Sequence, residues 1–212
     1  MKLHFKAFLI GIFVSNFLFA QENQKEKPVF LSYPELKIYG GIPFGIGTNL
    51  LSEAHDPQFD FGFYISPFSL YEVKFGIGFD YSWFKVSDAS LAGNGTHTNM
   101  ALVYGYFSYP LKITNKIDFE PKIGIGGGSI QQKRSDENFG RMDCFTFNFG
   151  ANLEYELAHP LEVFAGTDYF YSKINVNTPA DYKSFFGNLS KMNVFVGVKF
   201  NFRQRKNQEI ED

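Results

Sequence analysis

The chain has 212 residues, with 27 Phe and 12 Tyr against a single Trp, and a formal net charge of −2. An aromatic content of 19% beside only 20% charged residues excludes a disordered chain, a collagen and a coiled coil. One Cys excludes a disulfide scaffold and a Cys-cluster zinc site, and the near-neutral charge carries no footprint of a nucleic-acid binder.

Residues 1–20 read as a secretory signal. Lys2 and Lys6 give a positive start, Ala7 to Ala20 is nearly pure apolar, and the polar stretch Gln21 to Lys27 follows. The apolar run is shorter than the roughly 20 residues a spanning helix needs. No Cys follows it, so lipoprotein processing is not expected. Residues 21–34 then form a periplasmic N-terminal segment, in which Phe30, Leu31 and Tyr33 are candidate apolar anchors for an envelope protein partner.

From 35 to 202 the hydropathy alternates with period two, which places successive side chains on opposite faces of a strand. Tyr71, Val73, Phe75, Ile77, Phe79, Tyr81 and Trp83 form one face, against Glu72, Lys74, Gly76, Gly78, Asp80 and Ser82. Eight such segments are expected, at about 35–48, 58–66, 71–86, 98–109, 116–131, 141–156, 161–174 and 190–202. Short connections at 66–70, 110–115 and 157–160 alternate with longer ones near 49–57, 87–97, 132–140 and 175–189. An even strand count with alternating short turns and long loops is the layout of an outer-membrane barrel. It puts both ends of the barrel, and the polar tail 203–212, on the periplasmic side.

A soluble sandwich or a lipocalin-like barrel also alternates. Three features favour the membrane: strand length, apolar faces carrying large residues throughout, and glycine on the polar faces. Glycine is costly inside a strand. Here it recurs in the polar register, at Gly45, Gly47, Gly62, Gly76, Gly78, Gly105, Gly124, Gly126, Gly150, Gly166 and Gly197. An eight-stranded interior is just wide enough for side chains, so small residues make room for larger ones such as Phe107, Phe164 and Phe195. Tyr71, Tyr106, Tyr109 and Tyr155 are expected at one membrane interface, and Phe59, Trp83, Tyr169 and Tyr171 at the other.

On these features the chain resembles the small eight-stranded outer-membrane barrels of the OmpA/OmpX-like group. In its Phe-rich, Gly- and Tyr-rich strands it is also similar to the outer-membrane β-barrel family of Bacteroidetes. Val194, Val196, Val198, Phe200 and Phe202 match the group's terminal assembly signal, alternating apolar residues ending in Phe. The resemblance implies recognition by the barrel assembly machinery through Val196, Val198, Phe200 and Phe202, and contact with outer-membrane lipids and lipopolysaccharide. Some Bacteroidetes barrels, the PorT-like components, are accessory subunits of transport or secretion complexes, and that is the alternative role.

The polar face is expected to hold a lumen ionic network. Its acids are Asp60, Glu72, Asp80, Asp118, Glu120, Glu154, Glu156, Glu162 and Asp168, and its bases are Lys37, Lys74, Lys122 and Lys199. Buried charges persist when paired, so the network reads as a packed plug and not a pore. Lipid A-modifying enzymes share the architecture, and the parts for a hydrolase would be His55, Asp56, Ser87, Asp88, Ser90 and His97. The deacylase pattern of His followed two residues later by Ser is absent, since Thr98 and Asn99 follow His97. No catalytic residue, cofactor or metal site is expected. Cys144 is a small packed residue in the lumen register. Tyr182, Phe185 and Phe186 in the last long loop either fold onto the barrel rim or contact a partner.

Overall fold

The computed structural model describes residues 30–31, 34–93, 95–134 and 137–202. The signal segment, Tyr33 and the tail 203–212 lie outside the described residues. Eight long strands close into an antiparallel barrel. They are β1 (Glu35–Gly45), β2 (His55–Leu70), β3 (Val73–Val86), β4 (His97–Ser108), β5 (Ile117–Arg134), β6 (Glu137–Ala158), β7 (Leu161–Ile174) and β8 (Asn188–Asn201). Each pairs with its sequence neighbour, and β8 pairs back with β1 from Lys191↔Gly45 to Asn201↔Glu35. Closure leaves no edge along the wall, so backbone donors and acceptors there find partners inside the chain.

The outer surface is apolar on every strand. Ile42, Phe61, Ile77, Val103, Ile123, Phe149, Ala165 and Val196 all face outward and are more than a third exposed. A soluble protein does not present a continuous apolar wall of this extent, whereas hydrocarbon requires one. No helix among the described residues is long and apolar enough to cross a membrane.

Several boundaries differ from the expected ones. The 58–66 segment runs through Pro67 to Leu70, because a register shift between Ile65 and Phe68 accommodates a residue that cannot donate to the ladder. The reversal falls instead at Tyr71–Glu72, a two-residue turn with φ of 49° and 72°. The β5 and β6 strands run to Arg134 and from Glu137, so their hairpin stands beyond the other strands at the loop end. The remaining loops carry short helices: α1 (Leu50–Ala54), α2 (Ala89–Ala92) and α3 (Lys183–Gly187). Asn49 caps α1, with Oδ1 accepting from Leu51 N–H at 3.0 Å. α1 packs directly on Gly45, where a Cβ would lie 2.6 Å from the Leu51 backbone carbon. Gly47 is not in the wall but in the loop, at φ +84°. Two short pairings lie at the turn end: Phe30–Leu31 with Leu70 and Ser69 of β2, and Leu111–Lys112 with Phe119 and Asp118 of β5.

One strand has the opposite facing from that expected. In β4, Thr98, Met100, Leu102, Tyr104, Tyr106 and Ser108 point inward, while Val103, Gly105 and Phe107 face out. Phe107 is 49% exposed and is not a lumen residue, and Tyr106 is buried in the lumen and is not an interfacial residue.

Candidate functional site: the filled lumen

The interior is built in layers, read from the turn end to the loop end. The first is a ring of alternating charges. Lys37 donates to Glu120 at 2.6 Å and pairs with Glu154 at 2.6 Å. Lys74 bridges Glu35 at 2.8 Å and Glu120 at 2.6 Å. Lys199 bridges Glu154 at 2.6 Å and Glu162 at 2.9 Å. Three lysines, from β1, β3 and β8, thus cross-link four carboxylates, from β1, β5, β6 and β7. Buried charges are tolerated in this form because each has opposite charge and hydrogen bonds at once. Asp118 and Glu156 lie half-buried at the same mouth.

The second layer centres on Lys122. Its ammonium donates to Tyr64 Oη at 2.7 Å and Asn152 Oδ1 at 3.0 Å, and lies 3.1 Å from Asp168. It also sits 3.9 Å from the Tyr64 ring centroid. Tyr64 in turn donates to Asp168. The aromatic rings of this layer occupy the space that glycine leaves. A Cβ on Gly78 would lie 2.5 Å from Tyr104, one on Gly166 2.7 Å from Phe195, and one on Gly197 2.6 Å from Phe164.

The third layer holds Asp60 and Asp80, tied together by shared donors. Asn193 Nδ2 donates to Asp60 at 2.9 Å and to Asp80 at 2.6 Å, and Ser82 Oγ donates to Asp60 at 2.8 Å. Tyr39 Oη donates to Asp80 at 3.1 Å. Lys191 contacts Asp80 and Ser82 and lies 3.8 Å from Asp60.

Above this the lumen turns apolar. Phe84, Met100, Leu102, Ile130, Cys144, Phe170, Ile174 and Leu189 are buried, and Leu50, Leu51 and Ala54 of α1 close over them with Ala92 of α2. Phe185 and Phe186 of α3 are half-buried and pack against this cluster, their rings edge-to-face at 4.9 Å. Tyr182 is 58% exposed beside them. The cross-section is therefore filled along its length, by ion pairs in the turn-end half and by hydrocarbon in the loop-end half.

Glu72 does not belong to this network. It lies exposed in the Tyr71–Glu72 turn, where it accepts from Tyr109 Oη at 3.2 Å. Glu72 is the last turn residue before β3 enters the wall at Val73, so the alternation read through it overshoots. Lys191 is the lumen lysine that the sequence reading missed; it shares parity with Lys199 on β8 and could have been found by extending that face. Tyr39, Tyr64 and Tyr104 were missed for a different reason: tyrosine reads as apolar in a pattern, yet here it supplies lumen hydroxyls.

The candidate hydrolase parts are not brought together. His55 is buried; its Nδ1 lies 2.9 Å from the Leu50 carbonyl and its Nε2 2.7 Å from Thr98 Oγ1. Since a carbonyl only accepts, Nδ1 carries the proton and Nε2 accepts from the Thr98 hydroxyl. Asp56 is exposed and takes no part in orienting His55. Asp88 caps α2, accepting from Ser90 N–H at 2.8 Å and Ser90 Oγ at 2.6 Å; those bonds hold its carboxyl below the usual carboxylate range. His97 packs edge-on to Trp83 at 5.8 Å. No group of His, Cys, Asp and Glu suited to a metal ion occurs among the described residues.

Val196, Val198 and Phe200 lie in the outward register of β8, with Val196 67% exposed. Phe202 follows the strand and donates its N–H to Pro34 at 3.0 Å.

No protein-family profile and no curated protein matches this sequence. Among solved structures, the chain is similar to Neisserial surface protein A (13% identity, TM-score 0.56), over 84% of this chain and all of that one. It also aligns with outer membrane protein H of Pseudomonas aeruginosa (13% identity, TM-score 0.49, 81% of this chain and all of that one). A third alignment is with the attachment invasion locus protein Ail of Yersinia pestis (11% identity, TM-score 0.45, 80% of this chain and 97% of that one). At these identities the likeness is one of fold, that of the small outer-membrane barrels.

Proposed function

We propose that this protein is a non-enzymatic barrel of the bacterial outer membrane, with both termini in the periplasm, acting as a structural or interaction protein through its surfaces and not through its lumen. The observation that carries this is the filled interior. A conducting barrel needs a continuous aqueous path, and here charged rings and an apolar plug succeed one another along the lumen. The apolar outer wall supports insertion, and the likeness to the Neisserial surface protein supports the same setting. The Phe-rich strands support membership of the Bacteroidetes barrel family. Val196, Val198, Phe200 and Phe202 are the residues the assembly machinery would read. Phe30, Leu31 and Tyr33 at the periplasmic end, and Tyr182, Phe185 and Phe186 at the loop end, are the contacts for an envelope partner. Phe185 and Phe186 offer only their exposed edges.

Two measurements test this. Planar-bilayer recording of the purified protein should show no steady unit current; reproducible cation-selective steps would overturn the filled-lumen reading. Trypsin added to intact cells should cut at Lys133, Arg134 or Lys183 and leave Lys112 and Lys116 intact. The reverse would invert the orientation.

A further inference from the structure

A titratable side chain lies inside the loop-end cap. His55 follows α1 directly, and its ring folds back so that Nδ1 bonds the carbonyl of Leu50, the first residue of the helix. The residue is 5% exposed, and its ring stands edge-on to Phe84 with centroids 6.4 Å apart. The other ring nitrogen reaches past β3 to the buried Thr98 hydroxyl of β4. One imidazole thus ties α1 to a strand two places along the wall. The far end of the helix is tied through the Ala54 carbonyl, which accepts from Ser87 N–H at 2.9 Å and Asp88 N–H at 3.3 Å. Burial of Leu50, Leu51 and Ala54 on the apolar plug supplies the rest.

This wiring fits only the neutral ring. Nε2 presents a lone pair to the Thr98 hydroxyl, so a proton added there meets a hydrogen already donated, and the hydroxyl has to turn away. The charged groups on the elements around His55 are Glu53 of α1, Asp56 beside it, Lys85 of β3, His97 of β4, Asp88 of α2 and Lys191 of β8. Glu53 and Asp56 are exposed, Lys191 is engaged with Asp80, and neither ring nitrogen bonds a carboxylate. His55 lies three rungs beyond the Phe59–Trp83 pair, above the membrane-facing wall. Burial holds its titration below the ordinary histidine value, outweighing the Leu50 carbonyl and Asp56, which both favour the charged ring.

We propose that His55 is an acid-sensitive latch on α1. Protonation of its ring releases the helix from the loop-end mouth and uncovers the apolar plug, while the wall stays closed. The released ring sits in water and takes up a proton at about pH 6.5. The latched ring takes one up only at lower pH, so opening gains with each step down below that value and stops gaining once the latched ring also titrates. α1 can open alone because it contributes no rung to the barrel. The latch works whichever side of the membrane the loop end faces.

Amide exchange of the protein in phosphatidylcholine nanodiscs, read by NMR between pH 7.5 and 5, tests the latch. The amides of Leu51, Ser52 and Glu53 are bonded to Asn49. Corrected for intrinsic exchange, their opening should increase by up to about tenfold per pH unit below 6.5. The wall amides of Val103 and Tyr104 should not respond. His55→Asn, whose amide can still donate to the Leu50 carbonyl, should abolish the pH dependence. Thr98→Val removes the hydroxyl that favours the neutral ring and should shrink the step, whereas His97→Gln should keep it. Opening of α1 independent of pH in the unmodified protein, the same step in His55→Asn, or its loss in His97→Gln overturns the latch. So does opening of the wall together with α1, or a His55 ring that titrates at or above the ordinary value by nitrogen chemical shift. Heat-modifiable mobility is read on every variant, and if His55→Asn does not fold, Thr98→Val decides: an undiminished step there overturns the proposal.

Discussion

Replacing Lys191 with Met isolates what a lumen ion pair contributes. Lys191, Asp60 and Asp80 have side chains that are 0% exposed, so no solvent screens the loss of the ammonium. Met is close to the lysine stem in volume, and the cavity left behind is small. What remains is two buried carboxylates facing each other, served only by Asn193, Ser82 and Tyr39. Orphaning a buried charge in this way costs about 3–5 kcal/mol. At 1.4 kcal/mol per tenfold, that is roughly a 10² to 10⁴ change in the folded-to-unfolded ratio. Adding Asp60→Asn and Asp80→Asn removes the uncompensated charge while keeping side chains that accept from the same donors, and should restore most of the loss. Urea unfolding in phosphatidylcholine vesicles, followed by Trp83 emission and heat-modifiable mobility, measures all three proteins. A single variant within 1 kcal/mol of wild type, or a triple variant no better than the single, would refute the argument that charge balance holds this layer together.

The glycines give a paired comparison by the same assay. Gly197→Ala places a Cβ 2.6 Å from Phe164 Cζ and should destabilise by about 1–3 kcal/mol. Gly105→Ala meets nothing nearer than the Gly76 carbonyl at 4.0 Å and should fall within about 0.5 kcal/mol of wild type. Glu72→Gly relieves a side chain held at φ 72° and should stabilise by up to about 1 kcal/mol, reduced by loss of the Tyr109 contact. Because the Asp88 carboxyl titrates below its ordinary range, its cap on α2 is fully formed above the unfolded value and is lost as pH falls through the folded one. Amide exchange at Ser90 should therefore accelerate in acid in wild type, beyond its intrinsic pH dependence, and should show no such step in Asp88→Ala. Purification from mild detergent with a tag after Asp212 tests the partner proposal: a near-stoichiometric companion supports an accessory role, and a single band opposes it.

Eight strands, their order and the membrane-facing wall follow from period-two alternation, because a strand's two faces are written locally in its own residues. Strand ends were less legible. Pro67 reads as a terminator but is carried by a register shift that depends on β3, and the α1 and α2 segments are too short to register a helical period. The facing of β4 is ambiguous for a specific reason: residues 98–109 carry bulky side chains on both parities, so Gly105 reads as the lumen marker although Tyr104 and Tyr106 fill that side. The identities of Lys37, Lys74, Lys122 and Lys199 as lumen bases came from parity alone. Which carboxylates they meet did not, since Lys37 and Glu120 are joined only when β1 and β5 face each other across the closed barrel. The apolar plug is the furthest from the sequence. Leu50, Phe84, Met100, Phe170 and Phe186 come from separate strands and loops, and each looks locally like a break in the alternation. Faces are fixed by the chain itself, whereas the sealing of the lumen depends on how strands distant in sequence stagger as the sheet closes.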